Sequence, residues 1–142
     1  MTSITVLLPA TLVLLVDQLT KMAVTRRLAN GSSAAVVWFV HLRYATKPSR
    51  SHRFLDKRIV LVLLWGAVLS TFVFLMGQGH VFHHPAAQVG LGAALGGATS
   101  NLYDWLRRGT VVDFVEIGWW PVFNLADVGI TAGAVTALWF TR

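Results

Sequence analysis

Residues 101–130 read NLYDWLRRGTVVDFVEIGWWPVFNLADVGI and hold four of the chain's six acidic residues, Asp104, Asp113, Glu116 and Asp127, among apolar neighbours. The setting is membrane-like. Of 142 residues, 55% are hydrophobic and 13% charged, against roughly 25% charged in a soluble domain. A carboxylate beside a bilayer costs free energy, so each of the four needs a partner or a chemical task.

Working outward, residues 86–105 run into this stretch as a predicted membrane span rich in small residues. Gly92 with Gly96, and Ala93 with Gly97, repeat small side chains four apart, which lets a neighbouring helix approach closely. Residues 124–140 leave it as another span, preceded by Trp119, Trp120 and Pro121 in the manner of an interfacial aromatic belt. Further out, residues 59–76 are 18 residues without a charge, close to the length that crosses the hydrocarbon. The first span covers residues 4–24. Its uncharged tract, 4–16, is short, and Asp17 and Lys21 extend it by pairing across one helical turn near the interface. A cleaved signal peptide competes for this segment, but the basic n-region and an A-x-A-like site are missing.

The expected fold class is therefore an all-α integral membrane protein. Four transmembrane helices form a single domain, 1–142, with a small extramembrane element between helices 1 and 2. That element, residues 25–58, contains the strand-like run SAAVVWFVHLRY at 33–44, then the basic ATKPSRSHRFLDKR, where Pro48 opposes regular structure. Four spans put both termini on one side. Residues 25–58 and 105–123 share the other, with both Asp113 and Asp127.

The net charge is +6 and there is no cysteine, which excludes disulfides, thiolate metal sites and a cysteine nucleophile. A basic nucleic-acid module would not carry several apolar spans, so no nucleic-acid partner is expected; a basic rim facing anionic lipid headgroups is the better reading. His80, His83 and His84 suggest a metal, but Gly79 and Pro85 oppose a helix there and a third ligand is lacking. They read as a turn with exposed histidines, and no metal is expected.

Asp113 and Asp127 lie 14 residues apart with a Gly/Trp/Pro turn between them, so the chain can fold back and join their carboxyls at the membrane surface. Two carboxyls sharing one site do not both ionise easily. The ionised one can take a proton from water while the protonated one polarises a carbonyl, giving hydrolysis without a covalent intermediate. A purely structural assignment competes: Asp127 capping a helix, and Asp113 paired with Arg107 or Arg108.

Four motifs carry a resemblance. DQLTK at 17–21, NLYD at 101–104, GTVVDF at 109–114 and PVFNLAD at 121–127 resemble, in order and spacing, the bacterial lipoprotein signal peptidase (signal peptidase II) family. The resemblance implies a four-helix membrane aspartyl protease, without metal or organic cofactor. It would cut diacylglyceryl-modified prolipoproteins just before the lipidated cysteine, at the outer face of the inner membrane. It makes Asp113 and Asp127 the catalytic pair and Asn124 a polar neighbour able to hydrogen-bond a carboxylate or substrate. Asn101 and Asp104 become supports from the third helix, and Asp17 and Lys21 a supporting pair from the first. For Asp17 a helix-end ion pair is favoured over direct chemistry, as is pairing of Asp104 with Arg107 or Arg108. Glu116 is expected only as an exposed surface charge. The expected partners are the lipid-modified prolipoprotein and membrane lipids, with the enzyme working as a monomer.

The chain departs from the family in two places. The N-x-G-A-A-F stretch between the first two helices is absent, the region reading HLRYATKPSRSHRF, and Trp105 stands where the family has arginine. Both bear on substrate recognition rather than on the aspartate pair. They leave room for a paralogue acting on another lipid-linked substrate, or for a non-catalytic membrane binding protein that grips anionic lipid. Eleven of the 12 Lys/Arg residues lie on the aspartate side, which the positive-inside rule would turn to the cytoplasm. The resemblance takes precedence, because helix packing as well as charge dictates such folds.

Overall fold

A computed structural model describes residues 2–28, 33–37, 40–45, 83–119 and 121–140. The predicted span 59–76, the basic run 46–58 and His80 lie outside the described residues. What is described is mostly helical. Helix α1 spans Thr2–Arg27, α2 spans Pro85–Arg108 and α3 spans Leu125–Trp139.

The helix ends follow from local chemistry. Pro85 opens α2, where its missing N–H costs nothing, and His84 caps it by accepting the Ala86 N–H on Nδ1 at 3.2 Å. Gly109 closes α2 in the left-handed conformation, φ 75°, its N–H returning to Trp105 O, a position that glycine fills without steric cost. His84 is thus more than an exposed turn residue: its ring also stacks on Phe140 at 4.6 Å. Asn124 caps α3 and forms a reciprocal capping box with Asp127.

The three helices pack closely. Thr5 bonds Gln88, and Gln18 reaches Ser100 and Asp104, so α1 and α2 run parallel. Gly90 meets Gly133 and Gly97 meets Ala126, so α3 runs antiparallel to α2 and the start of α1 lies at the same end as the finish of α3. The small-residue pairs do what their spacing predicted. A Cβ on Gly92 would strike the Val6 carbonyl and one on Gly96 the Ala10 carbonyl, both on α1.

Burial is inverted relative to a soluble protein. Asp17, Lys21, Ser100, Asp104 and Asn124 are all 0% exposed, while Ile4, Leu7, Leu8, Leu12 and Leu19 face outward. Hydroxyls on the helices return to their own turns, as Thr11 does to Leu7 O and Thr136 to Ala132 O, the arrangement an apolar solvent demands. Among the described residues one helix, Ile4–Arg27, is long and apolar enough to cross a membrane. Helix α3 has 15 residues, about 22 Å at 1.5 Å per residue. It lies one residue inside the expected span 124–140 at each end, because Asn124 and Phe140 serve as its caps.

A three-stranded antiparallel sheet sits at the end of the bundle, in the order β1 (Ser33–Val37), β2 (Val40–Ala45), β3 (Asp113–Ile117). The first two strands fall where strand-like residues were read. The third corrects the sequence reading, which left 113–117 as part of a turn-containing segment. Its main chain pairs Val115 with Leu42 and Glu116 with His41, and Phe114 is buried against Val24 and Leu28. Glu116 is accordingly half-buried in the sheet rather than a bare surface charge.

Candidate active site

Asp113 is the first residue of β3 and Asp127 lies in the first turn of α3. The chain between them turns at Gly118, φ 50°, and folds back so that Phe123 exchanges main-chain hydrogen bonds with Val115 at 2.8 and 3.0 Å. This antiparallel register sets Asn124 beside the start of β3. Fold-back through the Gly/Trp/Pro turn was legible in the sequence; its conversion into a strand pairing was not.

Asn124 connects both aspartates. Its Nδ2 donates to Asp113 Oδ1 at 2.9 Å, to Val112 O at 3.3 Å and to Asn101 Oδ1 at 3.1 Å. Its Oδ1 accepts the Asp127 main-chain N–H at 2.9 Å, while its own main-chain N–H donates to Asp127 Oδ2 at 3.2 Å. Asn101, on α2, completes the bridge by donating from Nδ2 to Asp127 Oδ1 at 2.8 Å. Asp127 therefore caps its helix, as the structural assignment proposed, and also belongs to the cluster. The two roles use different hydrogen bonds.

Beneath lies a buried ionic layer. Lys21 Nζ is 2.6 Å from Asp17 Oδ2, 2.7 Å from Asp104 Oδ2 and 3.0 Å from Asn101 Oδ1. Asp104 Oδ2 accepts no hydrogen bond of good angle, so its contact with Lys21 is an ion pair of charges. Asp17 also accepts the Ser100 hydroxyl at 2.6 Å and, on Oδ1, the Ala126 main-chain N–H at 2.9 Å. A carboxylate from α1 thus supplies a second cap to the helix that carries Asp127, where the positive end of the helix dipole favours it.

The supporting pair was expected near an interface and as a helix-end contact. It is instead wholly buried and bonded to both other helices, because α2 and α3 provide the N–H and O–H groups that make burial tolerable. Asp104 was expected to pair with Arg107 or Arg108. Its close partner is Lys21, with Arg108 at 3.6 Å, while Arg107 donates to Tyr103 Oη at 2.8 Å. Arg108 thus supplies a guanidinium beside Asp104 although Trp105 occupies the adjoining position.

Two members of the network were not singled out in the sequence. Ser100 bonds Asp17, and Gln18 Nε2 donates to Ser100 Oγ at 2.8 Å and Asp104 Oδ1 at 3.1 Å. Both sit beside residues that were chosen, in DQLTK and before NLYD. Polar residues at those places in apolar helices were the available signal. A groove of about 400 Å³ along α3 opens at Asp127 and is lined by Phe123, Asp127, Val128, Thr131, Ala132 and Val135. Spacings of four along a helix put most of these on one face. Among the described residues no group of three His, Asp or Glu side chains could hold a metal ion.

Parallel small-residue packing, apolar outer faces and a buried amide–carboxylate cluster define a helical membrane protein with a polar site at one end. The solved structures it resembles agree on the fold. Two solved structures of bacterial membrane enzyme, both 24% identical, superpose with TM-scores of 0.74 and 0.75 over 94% of this chain and 85% and 90% of theirs. Residues 9–141 match the signal peptidase (SPase) II family, and the chain belongs to that family. It is 40% identical over 129 residues to a lipoprotein signal peptidase of Pelotomaculum thermopropionicum, covering 89% of this chain and 84% of that one. The lipoprotein signal peptidase of Moorella thermoacetica is 36% identical over 139 residues, 94% and 89% of the two chains.

Proposed function

We propose that this chain is an intramembrane aspartyl endopeptidase that removes signal peptides from lipid-modified prolipoproteins. The observation that carries the reading is the attachment of Asp113 and Asp127, from different elements, to one pair of side-chain amides. Family membership and the names of the relatives support the substrate class.

In this scheme a water lies between the two carboxyls. One takes its proton as the oxygen attacks the scissile carbonyl, and the other, protonated, donates to the carbonyl oxygen as it gains charge. The first carboxyl then gives its proton to the leaving amide nitrogen while the second takes one back from a hydroxyl of the tetrahedral diol, so the C–N bond breaks and no acyl-enzyme forms. Asn101 and Asn124 hold the carboxyls in place throughout, which keeps reorganisation small at the moment of reaction. The apolar groove beside Asp127 receives a hydrophobic part of the substrate. In this reading the chain forms four spans in one domain, with the site near the outer face of the inner membrane and the enzyme acting as a monomer among membrane lipids.

The test is cleavage of a diacylglyceryl-modified prolipoprotein peptide in detergent micelles. The wild-type enzyme should cut just before the modified cysteine, and Asp113→Asn or Asp127→Asn should each slow the reaction by roughly 10²–10⁴-fold, the usual size of an acid–base contribution. A folded single variant that cuts at the wild-type rate would remove the aspartyl mechanism. A wild-type protein that cuts only a different lipid-linked substrate would keep the mechanism and change the substrate.

A further inference from the structure

Lys21 is completely buried, and three oxygens surround its ammonium: Asp17 Oδ2, Asp104 Oδ2 and Asn101 Oδ1. The two carboxylates by themselves would account for an ion pair that ties α1 to α2. The third contact has a different consequence, because its partner is neutral and two-faced. A side-chain amide offers an oxygen on one side and an NH2 on the other, whereas an ammonium has donors and no acceptor. Next to Lys21, Asn101 can present only its oxygen. Its NH2 is thereby turned toward Asp127 Oδ1, 2.8 Å away.

A second donor acts in the same sense. Asn124 Nδ2 reaches Asn101 Oδ1 at 3.1 Å, and Asn124 itself is held in one orientation by the Asp127 N–H on its Oδ1. The chain of amides therefore has one polarity from end to end. It starts at the cation and finishes with N–H groups on Asp113 and Asp127. This orientation follows from the donor and acceptor inventory, independent of how the amide atoms are assigned.

We propose that Lys21 is a positioning residue for Asp127 that acts through Asn101: its ammonium sets the polarity of the Asn101 amide and so keeps an N–H donor against the Asp127 carboxyl. Without it, the Asn101 oxygen keeps only the Asn124 donor, so the amide is held less firmly and its N–H, one of the two protein donors to the Asp127 carboxyl, is less well aimed. Lys21 does not line the groove beside Asp127, so the effect falls on the chemical step and not on substrate capture. The inference rests on the aspartyl peptidase reading above.

The experiment measures kcat and KM on the lipid-modified peptide for a double-mutant cycle between Lys21→Met and Asn101→Ala. It is run in an Asp104→Asn background so that one charge of each sign leaves the buried cluster. Asn101→Ala, which removes the donor, should lower kcat by roughly 10- to 100-fold, the size of losing a hydrogen bond to a charged group, and Lys21→Met, which only loosens it, by a smaller factor, with KM little altered in either. Together they should cost no more than Asn101→Ala alone, because Lys21 acts only through the Asn101 donor. In the otherwise native enzyme, Lys21→Arg, which offers only donors, should retain far more activity than Lys21→Gln, which can face Asn101 with either end. Costs that multiply in the cycle, or Arg no better than Gln in folded protein, would overturn the positioning role while leaving the peptidase reading intact. Failure of the wild-type enzyme to cleave any such peptide would overturn both.

Discussion

Asn124 donates its side-chain N–H to Asp113 at 2.9 Å, from the cap of a helix to the first residue of a strand. That contact joins two jobs in one residue. The asparagine starts the helix bearing Asp127, and it aligns the other aspartate with the first. Stability and activity are therefore separable at this position.

Replacing Asn124 with Ser keeps a good helix cap but removes the NH2, without burying a third carboxyl beside Asp113 and Asp127. Asn124→Ser should retain most of the wild-type cap contribution, yet lose the donor to Asp113 and most activity. Asn124→Ala should lose activity and also about 1 kcal/mol or more of stability. Thermal unfolding in detergent beside peptide cleavage separates the two.

Lys21 neutralises two buried carboxylates. Lys21→Met by itself leaves Asp17 without its cation and Asp104 with only Arg108 at 3.6 Å, and removing one partner of a buried ion pair costs about 3–5 kcal/mol. A large drop in unfolding temperature is expected, eased by a second change, Asp104→Asn. An unfolding temperature equal to wild type would mean that the carboxylates find other partners.

Gly96 and Gly118 should respond differently to a side chain. At Gly96 a Cβ would collide with the Ala10 carbonyl of α1, so Gly96→Leu should cost at least about 1–3 kcal/mol through overpacking and disturb the Lys21 layer. At Gly118 nothing lies within 4 Å, but φ is +50°. Gly118→Ala should cost only about 1 kcal/mol, from backbone strain alone. Denaturation curves of the two variants check the order.

The groove along α3 offers a test of substrate entry. Ala132 lines it about 1.4 turns beyond Asp127 and is exposed. Ala132→Trp should fill part of the roughly 400 Å³ and raise KM for the lipid-modified peptide by about 10-fold, with kcat changed less, the pattern of lost uniform binding. An unchanged KM would move the substrate elsewhere on the protein.

Several features were legible because local chemistry dictates them. Small residues four apart predicted close helix contact, and Gly92 and Gly96 make it. Strand-like residues at 33–44 predicted β structure, and two strands lie there. Asn124 and Asp127 at a helix start were readable as caps, since capping depends on a few neighbouring residues.

Other features depend on which segments meet. The run TVVDFVEI at 110–117, bounded by Gly109 and Gly118, is rich in β-branched and aromatic residues, a strand signal passed over in favour of a turn; β2 and Phe123 give it hydrogen-bond partners on both sides. Asp17 was readable as half of an i,i+4 pair, but not as a cap on α3, because its Ala126 partner lies 109 residues away. Ser100 and Gln18 gained their places the same way.

By itself, then, the sequence determined the family, the apolar helical character and the polar residues, because composition and short motifs are written along the chain. Only the tertiary structure decided the order of the buried network, from Lys21 through Asn101 and Asn124 to Asp127 and Asp113. The direction of an amide is set by the donors and acceptors around it, and those come from α1, α2, β3 and α3 together.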